Sequence, residues 1–282
     1  MKFAFHNDHC YYILEELPHH EGFDKADKMT LWQLGKLLEG GRKQRGLHGP
    51  EAKWASQYLL FLRSQTYQIC PAFYSKMSQN RSVKVVSCLS YIGKTSYCVD
   101  EVLLDLLTNE PLVQTCYHAV VVSKETRRPV AVLQELAKAN VVTEPQEGKR
   151  PLPDLMFPRR PTKHFTHRRI VMATDTDSNQ HLNQVGYLRF SLDCVSAAAV
   201  TGALSAFKRD IVYYNAKRVW VRFVGEATAR EEVTISCWED DKCCHVIWVE
   251  LSKGSQVIGH CQLQFYADKK EKDVESLSQA KL

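Results

Sequence analysis

The 282-residue chain has no apolar run long enough to cross a bilayer, so its sequence carries no sign of a membrane-spanning helix. Its opening residues, Met1 to His9, lack the apolar core of a secretory signal and the Arg/Ser-rich character of a transit peptide. No basic tract with interleaved aromatics occurs, and a formal charge of +5, from 37 basic and 32 acidic residues, is too slight an excess to mark a nucleic-acid binder. The 10 cysteines lack the paired spacing of a zinc site and are scattered through apolar β-like runs. They are expected to be reduced, mostly buried thiols of a cytoplasmic protein that uses neither a metal nor another cofactor. Cys243-Cys244-His245 is the most tempting cluster, but neighbouring strand residues point to opposite faces and no second ligand pair lies close in sequence.

What is present is ample apolar material. At 44% of residues it can build one large core or two domains of about 140 residues each. Residues 3 to 16 are rich in aromatic and β-branched types and predict an opening strand. From Thr30, Leu31, Leu34, Leu37 and Leu38 fall at helical spacing, with Gly40-Gly41 as an expected stop or break, and a weaker helical stretch is expected over 51–59. Strands are expected over Tyr67 to Phe73, Val83 to Ile92, Tyr97 to Leu107 and Leu112 to Ser123, the last two joined by a turn at Asn109-Glu110-Pro111. Residues 138–164 hold Pro145, Pro151, Pro153, Pro158 and Pro161 together with Lys149, Arg150, Arg159, Arg160 and Lys163. This segment is expected to be a linker, its charges either solvated or forming a docking surface for a phosphate-bearing carrier.

After the linker the order recurs. A short strand at Phe165 to Ala173 precedes a helix over 184–206 and strands at Val219 to Val224, Glu232 to Trp238, His245 to Leu251 and Val257 to Tyr266. The expected division is a first unit over 1–137, the linker over 138–164, a second unit over 165–267 and a charged tail over 268–282. A helix followed by an antiparallel sheet with one apolar face buries itself if the sheet curls around it. The expected fold is therefore α+β, a double hotdog with two antiparallel sheets, each curled around a central helix.

Between the strand and the helix of the second unit lies Asp175-Thr-Asp-Ser-Asn-Gln-His-Leu-Asn-Gln-Val-Gly-Tyr187. Asp177, Asn179, His181 and Asn183 recur at every second position, so an extended backbone would send all four to one side, whereas a helix would splay neighbours by roughly 200°. The plainer alternative is a loop that turns the chain and caps the following helix, because Asp and Asn favour both tasks. The segment resembles the acyl-carrier-protein (ACP) thioesterases of the plant and bacterial type, whose second hotdog repeat carries a D-x-N-x-H-x-N-x-x-x-Y signature. Asp177, Asn179, Gln180, His181, Asn183, Val185 and Tyr187 carry the match. In Val219-Trp-Val-Arg-Phe-Val-Gly-Glu226, Glu226 falls on the family's catalytic acid, while Ala227 stands where the family has Cys. Val120 to Pro129 is similar to the strand end and turn that close the family's first repeat.

The resemblance implies hydrolysis of fatty acyl thioesters, with acyl-CoA or acyl-ACP as the carrier-borne substrate. Such hydrolysis needs an activated water and donors for the oxyanion. Asp177, alone or with Glu226, is expected to take the water proton, with Asn179 and His181 holding water and thioester and Asn183 and Tyr187 contacting the substrate. The N–H groups at the start of the 184–206 helix are expected to face the carbonyl oxygen. The first unit has no equivalent polar row, since its helix is preceded by His19 to Asp27, in which Asp24 and Asp27 suit capping. One site per chain is expected, in a monomer with an internal hotdog pair or in a homodimer. The competing readings are a non-catalytic acyl-binding or scaffold protein and, third, a hotdog dehydratase.

Overall fold

A computed structural model describes residues 2–6, 9–14, 22–48, 57–77, 82–132 and 155–267. The tail from 268, most of the expected helical stretch at 51–59, and the boundary region 133–154 lie outside them. The opening stretch forms a hairpin of two strands, β1 (Lys2–His6) and β2 (His9–Leu14), where a single strand was expected. Helix α1 (Leu31–His48) begins at Thr30, whose Oγ1 accepts the Gln33 N–H, and runs on through Gly40-Gly41. Packing overrides the weak helix propensity of glycine there. Arg42, one turn beyond Leu38, is held against the sheet by the Glu101 carboxylate at 3.2 Å.

Strand β3 (Tyr58–Ile69) starts earlier than the aromatic pattern suggests, and Pro71–Lys76 forms a short helix, α2, with proline in its first turn. The chain continues through β4 (Val83–Ile92), β5 (Ser96–Asp105) and β6 (Pro111–Ser123). The second half is built from β7 (Phe165–Ile170), α3 (Gln184–Val200), β8 (Ala216–Phe223), β9 (Glu232–Glu239), β10 (Val246–Lys253) and β11 (Gln256–Phe265). Helix α3 stops short of residue 206 because Gly202, at φ +74°, takes the left-handed position. Its neighbour's N–H then turns back to the Ala198 carbonyl at 2.8 Å and closes the helix end.

The sheet order is β1-β2-β4-β5-β6-β3-β8-β11-β10-β9-β7. Omitting the β1 edge, each half runs first strand, third, fourth, fifth, second, so one hotdog pattern occurs twice. The two sheets expected from the sequence are the halves of one sheet. β3 and β8 pair antiparallel from Ser64↔Arg222 to Gln68↔Arg218, and the halves share one continuous eleven-stranded sheet. The reason is edge satisfaction: in each half the last strand in spatial order would leave its N–H and C=O groups unpaired, and each completes the other.

The halves also share a core. Leu34, Leu38, Phe73 and Val83 of the first belong to the same buried cluster as Phe190, Val195, Ile235 and Val249 of the second. The described part of the proline-rich linker does not simply cross solvent. Phe157 stacks on His260 with centroids 3.7 Å apart and meets Trp238 and Trp248 edge-on, while Arg160 pairs with Glu250 at 3.0 Å. Residues 155–160 thus strap the outer face of the second half-sheet.

Candidate active site

The row Asp177, Asn179, His181, Asn183 is not extended. The chain makes a tight turn in which the Gln180 N–H donates to the Asp177 carbonyl at 3.0 Å and the Asp177 N–H to the His181 carbonyl at 2.9 Å, with Gln180 at φ +65°. Asp177 Oδ1 accepts the N–H groups of Asn179 at 2.8 Å and His181 at 3.3 Å, and Asn179 Nδ2 lies 3.5 Å from Oδ2. The turn-and-cap reading therefore accounts for much of Asp177. It also accounts for Asn183, whose Oδ1 accepts the Val185 N–H at 2.9 Å as the cap of α3.

The turn is tied to the segment that follows β8. The Leu182 N–H donates to the Ala227 carbonyl at 2.6 Å, and His181 bridges to Thr228. This juxtaposition brings His181 Nε2 to 3.2 Å from Glu226 Oε2, so two side chains distant in sequence meet. Arg127, from the turn after β6, stands 3.9 Å from the same carboxylate oxygen, and Lys253 Nζ donates to the Glu226 main-chain carbonyl at 3.3 Å. Ala227 is fully buried in the shared core, so a side chain there faces the interior.

Tyr187, on the first turn of α3, donates its hydroxyl to the Gly225 carbonyl at 2.7 Å and meets Phe223 edge-on. Burial first, then the nearby Glu226 and Asp177 carboxylates, hold its phenol protonated well above the ordinary range. Its ring lies against Gly259, where an added Cβ would come within 2.8 Å of Cδ1; glycine is needed there for close approach.

All six expected residues line one cleft of about 660 Å³. The cleft extends into the first half, past Glu39, Arg42 and Lys43 of α1, to Tyr58, Phe61, Tyr97 and Tyr117 of its strands. Sequence reasoning missed Glu39 and Arg42. Glu39 is nearly buried and its Oε1 accepts Asn183 Nδ2 at 2.7 Å, so a first-half carboxylate fixes a second-half side chain. Its neighbours at helical spacing are Gly35, Lys36, Arg42 and Lys43, so no pattern along the helix marked Glu39 as buried. Asn183, expected on the substrate, has its Oδ1 engaged by the helix and its amide by Glu39. Among the described residues no cluster of three or more His, Cys, Asp or Glu side chains is placed to hold a metal, and no helix is long and apolar enough to cross a membrane.

No family model matches the chain, and no curated protein matches it in sequence. Solved structures do match. An acyl-ACP thioesterase from Bacteroides thetaiotaomicron has a TM-score of 0.68 at 16% identity, over 92% of this chain and 98% of its own. The 12:0-ACP thioesterase from Umbellularia californica has a TM-score of 0.72 at 13% identity, over 94% of this chain and 100% of its own. Identity this low is evidence of shared architecture. Over nearly its whole length, the chain has the fold of the acyl-ACP thioesterases of known structure.

Proposed function

We propose that this protein hydrolyses acyl thioesters, carried on CoA or an acyl carrier protein, to a carboxylic acid and a thiol. The observation that carries the reading is the 3.2 Å contact of His181 with Glu226 at a cleft of about 660 Å³. An imidazole oriented by a carboxylate through one ring nitrogen can take a proton from water through the other, the arrangement of an oriented general base. Glu226 holds the ring and stabilises the imidazolium that forms. His181 then returns the proton to the departing thiolate.

The carbonyl oxygen becomes anionic as water adds. The N-terminal end of α3, whose Gln184 lines the same cleft, supplies positive potential there. Asp177, expected from the sequence as the base, acts in this reading mainly by holding the turn that presents His181. Asn183 and Tyr187 act as positioning residues, one at the helix cap and the other at the end of β8.

The test is thiol release by the purified full chain on a panel of acyl-CoA and acyl-ACP substrates, beside His181→Ala and Glu226→Gln. Both variants are expected to lose at least about 10²-fold in turnover with the fold retained by circular dichroism. Wild-type turnover in either variant removes this pair from the mechanism. Binding of acyl thioesters without thiol release would favour an acyl-binding protein. An enoyl product would identify a dehydratase.

A further inference from the structure

The two halves differ in what they place between helix and sheet. In the second, the row Cys237–Val249–Cys261–Val221 crosses β9, β10, β11 and β8 in register, and every member is apolar and buried. In the first, the row Ser87–Glu101–Thr115 crosses β4, β5 and β6, also buried, and it separates the shared core from a second apolar cluster around Leu89, Tyr97, Val99 and Tyr117. Arg42 from α1 lies against this row. It donates to Glu101 Oε2 at 3.2 Å, and its guanidinium stands 5.1 Å above the Tyr117 ring. Arg42, Glu39 and Tyr117 all line the cleft that leads from His181.

A saturated chain laid along this wall would take the remaining water from the Arg42 guanidinium, whose side chain keeps 11% of its surface exposed, and return no hydrogen bond, which is unfavourable. A chain bearing oxygen would replace that water. Size does not decide the matter, because about 660 Å³ lies within the range of pockets that enclose whole organic ligands. We infer that this cleft selects acyl groups bearing a hydroxyl, keto or phenolic oxygen over plain saturated chains, with Arg42, held by Glu101, as the specificity-determining side chain. The inference rests on the reading of the cleft as a thioester site.

The experiment compares kcat/KM for thiol release across saturated acyl-CoAs of increasing length and across hydroxyacyl-CoAs and hydroxyaryl-CoAs. In parallel, calorimetry measures the binding of the corresponding free acids. A purely apolar tunnel gains about fourfold per added methylene, from about 0.8 kcal/mol each. The expected result is a flat dependence on saturated length, with a preference of about tenfold or more for an oxygenated acid or thioester of equal length. The double variant Arg42→Met/Glu101→Leu, which replaces the buried pair by apolar side chains of similar size, is expected to restore the length dependence and abolish the preference. A fourfold gain per methylene in the wild type, or no binding preference for the oxygenated acids, overturns the inference whatever the variant does. Absence of turnover on every thioester, with that preference intact, overturns the hydrolase reading and leaves the selectivity standing.

Discussion

Asn183 shows how one side chain serves two halves of the molecule. Its Oδ1 caps α3 through the Val185 N–H, and its amide satisfies the nearly buried Glu39 carboxylate. Asn183→Ala removes the cap, for about 1 kcal/mol, and takes one of the two partners of the Glu39 carboxylate, whose other oxygen keeps Lys36 at 3.1 Å, for about 1 kcal/mol more. The variant is therefore expected to unfold at distinctly lower denaturant concentration, and a midpoint equal to wild type would show that neither contact matters. Asp177 is a different case. Because its Oδ1 accepts two main-chain N–H groups and an amide oxygen can do the same, Asp177→Asn is expected to keep the turn and lose less than about tenfold in turnover. A loss above about 10²-fold would return Asp177 to the role of base that its motif suggests. The motif was legible in the sequence, but the division of labour within it was not, because spacing does not show which lone pairs the backbone occupies.

At the scale of elements, the strap over 155–160 and the strand it covers make a pH-dependent contact. His260 of β11 lies under the Phe157 ring, and burial, with the neighbouring Arg222 charge, lowers its pKa from 6.5 to about 4. The charged groups facing it are Arg222, Glu250 and, through Glu250, Arg160. A histidine harder to protonate when folded than when unfolded contributes stability that is complete above its unfolded pKa and is lost as pH falls towards the folded one. Stability is thus expected to drop between about pH 6.5 and about pH 4, by on the order of 2 kcal/mol from this group after allowance for partial solvent contact. Chemical denaturation across this window should show a shallower slope in His260→Gln, and an unchanged slope would assign the effect to other groups. The sequence marked this segment only as proline-rich and basic; that Phe157 lands between Trp238 and Trp248 depends on strands brought together by the sheet.

For the whole molecule, the consequence of the β3–β8 junction and the shared core is cooperativity. Neither half buries its sheet edge or the whole of its helix alone, since Leu34 and Leu38 of α1 and Phe190 and Val195 of α3 belong to one apolar cluster. The chain is expected to unfold in one transition, with far-ultraviolet circular dichroism and tryptophan fluorescence coinciding along a denaturant series. The fluorescence weights the second half, through Trp220, Trp238 and Trp248, so separate curves would show that the halves melt independently.

Local chemistry determined what the sequence alone could tell. The β-branched and aromatic runs of β4 to β6 and β8 to β11, the helical spacing from Leu31, and the Asp/Asn-rich stretch at the start of α3 are each encoded within a few residues. They suffice for a repeated helix-and-sheet order and for the neighbourhood of the site. Tertiary structure decided the contacts between remote segments: the joining of two half-sheets into one, the meeting of His181 with Glu226, and the arrival of Glu39 and Arg42 in the cleft. Those depend on which unpaired edge finds which partner, and no pattern along the chain records that. The Gly40-Gly41 pair shows the difference physically, for its local preference to end a helix is outweighed by contacts with remote partners, Glu39 with Asn183 and Arg42 with Glu101, that the helix sequence does not contain.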